Sequence, residues 1–514
     1  MGSRKLEGID SAFLAVETDA APMHMTGVVT LEPAVPGRPA SFDEIRSYLE
    51  ERLQAIPVFR RHLAEVPLGL DHPSWVEGGF DPDAHLRRIA VPEPGGPAEL
   101  CEVVGHLAAV PLDRRRPLWE IWVIEGLARD RTALVAKIHH ALMDGVAGAG
   151  IFARLFDFDG GPEAPAADSG APGPARGEPP PQRARLAAAA RSWAARPYRL
   201  ARQMLASAAA AARGFRAAAG SAPPESESLL TAPDTPLNGA ITSRREVALG
   251  SVSLAEVEQI KRGLEATVND VVLALCTGAL RRHLIRTAGA VDEPLVAAVP
   301  VSIARDPSRH TAGNAVSVMS VELPVHLADP VSRITRIQRS AVRSKRAHRA
   351  IGGGLLAGWA ELVPPAVLSG VTDLYSRLDL ADRHRPLANL VVSNVRGPRG
   401  SLRCAGHRVQ ACYPMGPIYE GTALNLTVLS YDGRLHFGLL ACPDVVTGLD
   451  QLAAGLADGV TELLRVARRR PESAPDAAGA RAREAQAAPP PGRRALLSGE
   501  ARRQVAGGRC PDGG

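Results

Sequence analysis

The sequence predicts a mixed α/β fold built in two halves. Three observations lead there. Strand-like and helix-like runs alternate irregularly from Leu6 to Val466. A Gly-, Pro-, Ala- and Arg-rich segment, 159–236, interrupts them with linker composition. The chain of 514 residues, 45% hydrophobic and 22% charged, is long enough for two domains and tails. The expected organisation is therefore a first half over 1–158, a linker over 159–236 that includes an amphipathic helix, a second half over 237–466, and a disordered Arg/Ala/Pro/Gly-rich tail over 467–514.

Composition narrows the functional classes. A formal net charge of +5 is mildly basic for this length and does not point to nucleic acid. A basic face suits anionic lipid or the phosphates of a nucleotide-bearing substrate. The six cysteines show no CxxC spacing, which predicts reduced thiols in a cytoplasmic protein. Met1–Ala12 lacks the apolar core of a signal peptide, and no apolar run approaches the ~20 residues of a membrane span. Contact with a membrane is then peripheral.

In the first half, Leu6–Asp10 reads as loop and Met23–Leu31 as strand. Ser41 caps a helix to Ile56, with Ile45, Leu49, Leu53 and Ile56 on one face and Pro57 ending it. Ala98–Val110 reads as a further helix. Pro111 and Pro117 hold the next stretch extended, and alternation from Leu118 makes a strand that sends Trp119 and Trp122 to opposite faces. Arg114–Arg116 reads as a solvated loop. A tight loop at Ala128-Arg129-Asp130 joins this strand to a second, Thr132–Ile138, as a hairpin.

That second strand runs into His139-His140-Ala141-Leu142-Met143-Asp144-Gly145 and then into a helix-like run through Gly148, Ile151, Leu155 and Phe156. Adjacent residues at a strand end point to opposite faces, so only one histidine can face a given cavity. An imidazole titrates near pH 6.5 and can take a proton from a hydroxyl about to attack an acyl group. Gly145 allows a turn or a close approach. Residue types alone leave three readings open: packed core histidines, an acid/base pair, or metal ligation. No further ligand motif stands at readable spacing, so no metal is implied.

The linker contains a stretch, Gln182–Gly220, with many arginines and no acidic residue. Leu186, Ala190, Trp193, Leu200 and Met204 follow a weak helical face broken at Pro197. The second half begins with a strand, Arg245–Val252, and a helix, Ser253–Leu264. In Thr267-Val268-Asn269-Asp270, Thr267 and Asp270 form a capping-box pattern that opens a buried helix. Asn269 has no comparable structural reason to be there. Strands follow at Leu295–Ile303 and Asn314–Leu323, a basic helix at Pro330–His348, an apolar Gly- and Pro-rich stretch at Gly352–Arg377, and a strand at Leu387–Asn394. Leu424–Tyr431 and Arg434–Ala441 flank Asp432-Gly433 as a hairpin, and Val445–Val466 reads as the last helix. Neither GxGxxG, GxxxxGK nor GxSxG occurs, which argues against a nucleotide loop and a serine hydrolase.

The motif set resembles the bacterial wax ester synthase/acyl-CoA:diacylglycerol acyltransferase family. The resemblance rests on His139–Gly145, Pro117-Leu118-Trp119, Thr267–Asp270 and Ser393-Asn394-Val395 in that order, together with Asp10 to Met23-His24 and Leu424-Asn425 through Gly433. It spans about Leu6 to Leu464 outside the linker. It implies two chloramphenicol-acetyltransferase-like halves with the active-site channel between them. It also implies acyl transfer from acyl-CoA, as substrate and not as cofactor, to diacylglycerol or a long-chain alcohol, without an acyl-enzyme. On that resemblance His140 is the general base, His139 supports it, and Asp144 and Gly145 shape the motif loop. Asn269 shapes the site from the second half, while Pro117, Trp119, Asp270, Ser393 and Asn394 contact substrate. Two departures touch substrate preference: Arg396 stands where the family usually has proline, and Cys442-Pro443 where it usually has Asp-Arg. Two other readings remain: a related transferase or condensation-type enzyme for another acceptor, and a lipid-droplet-binding homologue without catalysis.

Overall fold

The computed structural model describes residues 4–143, 154–159, 180–219, 231–289, 291–302, 316–351 and 355–469. The first half contains β1 (Arg4–Lys5), α1 (Gly8–Ala15), β2 (His24–Glu32), α2 (Phe42–Ala55), β3 (Arg61–Ala64), β4 (Ser74–Glu77), α3 (Pro82–His85), β5 (Leu86–Ala90), α4 (Pro97–Ala109), β6 (Trp119–Leu127), β7 (Arg131–His139) and β8 (Asp157–Phe158). Two linker helices follow, α5 (Gln182–Ala194) and α6 (Arg196–Ala219). The remainder comprises β9 (Glu246–Ser253), α7 (Leu254–Gly263), α8 (Val268–Ala288), β10 (Leu295–Ser302), β11 (Val316–Leu323), α9 (Pro330–Ile351), α10 (Leu355–Ala360), α11 (Pro365–Arg377), β12 (Leu390–Val395), β13 (Leu402–Cys404), β14 (His407–Met415), β15 (Leu424–Tyr431), β16 (Arg434–Ala441) and α12 (Leu449–Arg469).

Local chemistry accounts for the elements that frame the site. The Ser41 hydroxyl accepts the Glu44 N–H at 3.3 Å while the Glu44 carboxylate accepts the Ser41 N–H at 3.1 Å, closing a capping box on α2. Ile45, Leu49 and Leu53 then fall on the buried face of α2 at helical spacing. Between β6 and β7, Arg129 and Asp130 both adopt positive φ, so the hairpin turn is carried by two non-glycine residues. The linker helix breaks at Ala195, two residues before Pro197, close to where the sequence places the break.

Seven strands form one sheet in the order β5-β6-β7-β2-β14-β13-β8, and six form another in the order β11-β10-β12-β15-β16-β9. The sheets therefore do not divide at the linker. Strands β13 and β14 come from the second half, yet β14 pairs antiparallel with β2, Met415 opposite Thr26. The second half thus lends two strands to the first sheet and completes it. At Gly438 of β16, a side chain would collide with the Pro414 carbonyl of β14, so glycine lets the two sheets meet there. Two main buried cores form, one mostly from each half, with Ala21 and Met23 entering the second and Leu402, Val409 and Tyr431 the first, and Phe13 of α1 packs against both.

The segment before β2 also differs from expectation. Leu6–Asp10 is mostly helix, because Gly8–Ala15 forms the two-turn α1, which packs on the second half near α10 and α11. Eight residues give too few periods for a clear helical signal. The helix-like run through Gly148 and Ile151, Asn314, and the tail from 470 lie outside the described residues.

Candidate active site

The site grows from the end of β7. Leu134, Ala136 and Ile138 alternate onto the face that meets α2, and Ala133, Val135 and Lys137 onto the other. His139 continues the second set and is 1% exposed. His140 turns out of the strand and stacks on the Phe13 ring, with centroids 4.1 Å apart and planes 20° from parallel. Since Phe13 touches both cores, His140 stands at the boundary between them. The two histidines do diverge, as strand geometry requires.

Main-chain bonds fix the turn on which they sit. The His139 N–H donates to the Leu118 carbonyl at 3.0 Å, and the His140 N–H to the Met23 carbonyl at 2.9 Å. The Ala141 N–H donates to His139 Nδ1 at 3.0 Å, which places the ring proton on Nε2. That nitrogen faces Glu17 Oε1 at 3.5 Å, a polar contact longer than a well-formed hydrogen bond.

Glu17 is the centre of this buried cluster, and nothing local in the sequence marks it. Its Oε1 also accepts the Met23 N–H at 3.0 Å, and its Oε2 accepts from Arg114 Nη2 at 2.7 Å and Nε at 3.1 Å. Burial raises the Glu17 pKa, but its interactions with His139 and Arg114 prevail and hold it at about 2. Arg114 is thus half of a partly buried ion pair and not a solvated loop residue. His24 lies opposite His139 across the β2–β7 ladder. Burial, with the charges of Lys137 and His139, brings the His24 pKa down to about 3. Lys137, 1% exposed, donates from Nζ to the Val110 carbonyl at 2.7 Å, and burial lowers its pKa.

The remaining expected site residues fall into two groups. Pro117 and Trp119 meet the histidines through the main chain of Leu118. Trp119 is fully buried, donates from Nε1 to the Phe59 carbonyl at 2.8 Å, and packs with Phe59, Phe80 and His85. It walls an apolar cavity of about 30 Å³ between α2 and the sheet, shared with Leu134, Ala136 and Ile138 of the histidine strand. That volume takes a group the size of water and no acyl chain. In the second half, Asn394 Nδ2 donates to Asn269 Oδ1 at 3.4 Å, bringing together two residues 125 positions apart. Ser393 precedes Asn394 on β12 and pairs in register with Thr427. Asp270 is 7% exposed and forms the expected cap: its Oδ2 accepts the Thr267 N–H at 2.9 Å and the Thr267 hydroxyl at 2.7 Å. Asp144 and Gly145 lie outside the described residues. Among the described residues no group of three or more His, Cys, Asp or Glu side chains is placed to hold a metal ion. Cys442, one of the family departures, is buried at the end of β16, where its Sγ accepts the Thr242 N–H at 3.4 Å.

A first sheet completed by strands of the second half, with a histidine pair at the end of one of its inner strands where two cores meet, defines an acyltransferase of the two-halved chloramphenicol-acetyltransferase-like fold. The comparisons with known proteins agree. The first condensation domain of the calcium-dependent antibiotic synthetase superimposes with a TM-score of 0.52 at 18% identity, covering 91% of this chain and 97% of that one. This likeness concerns the fold alone. A wax ester synthase/diacylglycerol acyltransferase from Marinobacter aquaeolei superimposes with a TM-score of 0.63 at 25% identity, covering 90% of this chain and all of the other. A Mycobacterium tuberculosis relative, provisionally named a diacylglycerol O-acyltransferase, is 37% identical over 475 residues, 91% of each chain. The model of the wax ester synthase/diacylglycerol acyltransferase catalytic domain matches residues 6–272, and that of the family's C-terminal domain matches 312–464. The chain belongs to the wax ester synthase/diacylglycerol acyltransferase family.

Proposed function

We propose that this chain transfers a long acyl group from acyl-CoA to the hydroxyl of diacylglycerol or of a long-chain alcohol, with His140 as general base. His140 takes the hydroxyl proton as the oxygen attacks the thioester carbonyl. The tetrahedral intermediate then expels CoA thiolate, which recovers that proton from the imidazolium. The enzyme forms no acyl intermediate and needs no resident cofactor, since acyl-CoA supplies the activated acyl group. Base catalysis of this kind contributes about 10²–10⁴-fold, and holding the two reactants together adds to it.

The observation that carries this reading is the placement of His140. Its imidazole is held flat against Phe13 where the cores of the two halves meet. Asn269 and Asn394 supply amide groups from the second half for substrate positioning or for the developing oxyanion. Trp119 forms a wall beside the histidine strand, and side-chain movement there would open room for the chain.

The acceptors are insoluble, so the protein works at a lipid surface on the cytoplasmic side. No single helix among the described residues is long and apolar enough to cross a membrane. On α11 and just after it, Val367, Val371, Leu374 and Leu378 follow one helical face and are 46–60% exposed. Tyr198, Met204 and Leu205 of the acid-free α6 are exposed as well. These apolar side chains support a peripheral contact with a membrane or lipid droplet.

The test is thiol release from palmitoyl-CoA by purified protein, with diacylglycerol and hexadecanol supplied separately. Acceptor-dependent release, lost in a folded His140→Ala variant, is the expected result. Normal turnover by that variant removes the histidine mechanism. No release with either acceptor from folded wild-type protein points to another acceptor or to a non-catalytic role.

A further inference from the structure

Phe13 sets the plane of the His140 ring, and other groups fix the main chain that carries it. We propose that Glu17, set by Arg114, is the positioning residue for His140. The inference rests on His140 being the general base, and it concerns two residues outside the histidine motif.

The geometry is a carboxylate that fixes the main chain on both sides of one residue. On the N-terminal approach, Glu17 Oε1 accepts the Met23 N–H at 3.0 Å, and the Met23 carbonyl in turn accepts the His140 N–H at 2.9 Å. On the other side, the same Oε1 lies 3.5 Å from His139 Nε2, and His139 Nδ1 accepts the Ala141 N–H at 3.0 Å. The two routes reach the peptide groups immediately before and after the His140 side chain. His139 Nε2 is buried, and the Glu17 carboxylate is the acid group beside it. A carboxylate there favours the tautomer that leaves Nδ1 free to accept from Ala141.

Arg114 holds the other oxygen. Its Nη2 and Nε both donate to Glu17 Oε2, at 2.7 and 3.1 Å, and Nη2 also donates to the Leu14 carbonyl at 2.5 Å. Leu14 directly follows Phe13, whose ring sets the plane of the His140 imidazole. Arg114 thus ties three pieces together: the carboxylate, the end of the helix that carries Phe13, and the loop leading to Pro117–Trp119. The Glu17 side chain is 7% exposed, so solvent screens this arrangement little. Removing the charge leaves a partly buried guanidinium and a buried imidazole facing a neutral group, which favours a shift of the loop.

Glu17→Gln separates charge from size. An amide offers one acceptor oxygen where the carboxylate offers two. Whichever way it is turned, either Arg114 or the Met23 and His139 side meets an NH₂ group. Displacing a base by about 1 Å can cost on the order of 10²-fold in rate. The expected result is a fall in kcat of about 10- to 100-fold, with KM for palmitoyl-CoA within about twofold and most of the protein still folded. Glu17→Asp, which keeps the charge on a shorter stem, should recover part of kcat. Arg114→Met should lower kcat less, because it frees Oε2 and the Leu14 carbonyl but leaves the Oε1 contacts to Met23 and His139 in place.

Wild-type kcat in folded Glu17→Gln overturns the proposal. So does a loss of activity that matches the loss of folded protein, with kcat per folded molecule unchanged across Gln, Asp and wild type. The His140→Ala control keeps the two ideas apart. If that variant turns over normally, the histidine mechanism fails; if it is inactive while Glu17→Gln is normal, only the positioning role fails.

Discussion

Thr267-Val268-Asn269-Asp270 contains two polar residues next to each other that the structure assigns to different work, and substitution can separate them. The Asp270 carboxylate closes the N-terminus of α8, the helix buried along most of its length in the second core. Asp270→Ala removes an acceptor for the Thr267 N–H at 2.9 Å and for the Thr267 hydroxyl at 2.7 Å. Loss of such a cap costs about 1 kcal/mol, up to about 2. Loss of an anion in the first turn adds about 0.3–1 kcal/mol through the helix dipole. Together they come to about 2 kcal/mol, or about 2 °C in Tm for one unit of some 400 residues at about 2.1 cal/mol/K per residue. Asn269 is only partly buried and its partner Asn394 is exposed. Asn269→Ala should therefore leave Tm within about 1 °C of wild type, since exposed changes are usually worth less than about 0.5 kcal/mol. Its effect should fall on kcat, by about 10²-fold if the amide stabilises the oxyanion. Differential scanning fluorimetry gives Tm, and thiol release at 25 °C gives turnover. The reasoning is refuted if Asp270→Ala keeps its Tm and loses turnover, or if Asn269→Ala loses Tm and keeps turnover.

Two other predictions concern acid stability and lipid contact. His24 is held at about 3 in the folded protein by burial and by Lys137 and His139, against about 6.5 when unfolded. Unfolding therefore takes up a proton, so its contribution is intact above about pH 6.5 and is lost as pH falls toward 3, at about 1.4 kcal/mol per pH unit. Burial lowers His436 to about 4 with the same sign. Tm should drop between pH 7 and pH 5, and His24→Gln should flatten that drop; an unchanged slope in the variant would show that His24 is not the group responsible. On α11, Val371→Asp with Leu374→Asp should weaken flotation with phosphatidylcholine–triolein emulsions at least tenfold, from about 1 kcal/mol of lost apolar contact at each position. Folding should be unaffected, because both side chains are more than half exposed; flotation at wild-type levels would remove this face from the lipid contact.

Much of the fold was legible because its signals are local. Ser41 and Glu44, Thr267 and Asp270, and Asp432-Gly433 each act within four residues, and each forms the cap or turn that its spacing predicts. The hairpin from Trp119 to His139 was equally readable, since period-two alternation over nine residues leaves little ambiguity. The divergence of His139 and His140 follows from the same period. By contrast, α1 is too short for a clear pattern. Strands β13 and β14 could not be assigned to the first sheet, because strand pairing depends on partners hundreds of positions away.

The sequence by itself determined the two-part α/β character, the place of the histidine motif at a strand end, and a family resemblance that the comparisons bear out. Tertiary structure alone decided what surrounds that motif. Glu17 and Arg114 are 97 positions apart, Glu17 and His139 are farther still, and only the fold makes them one buried cluster. It also turned Arg114 from a solvated residue into an ion-pair partner, joined Asn394 to Asn269, and completed the first sheet with strands from the second half. The physical reason is one of range. Propensity, capping and alternation act over a few residues, whereas burial sets which charged groups must find each other, and burial is a property of the packed chain.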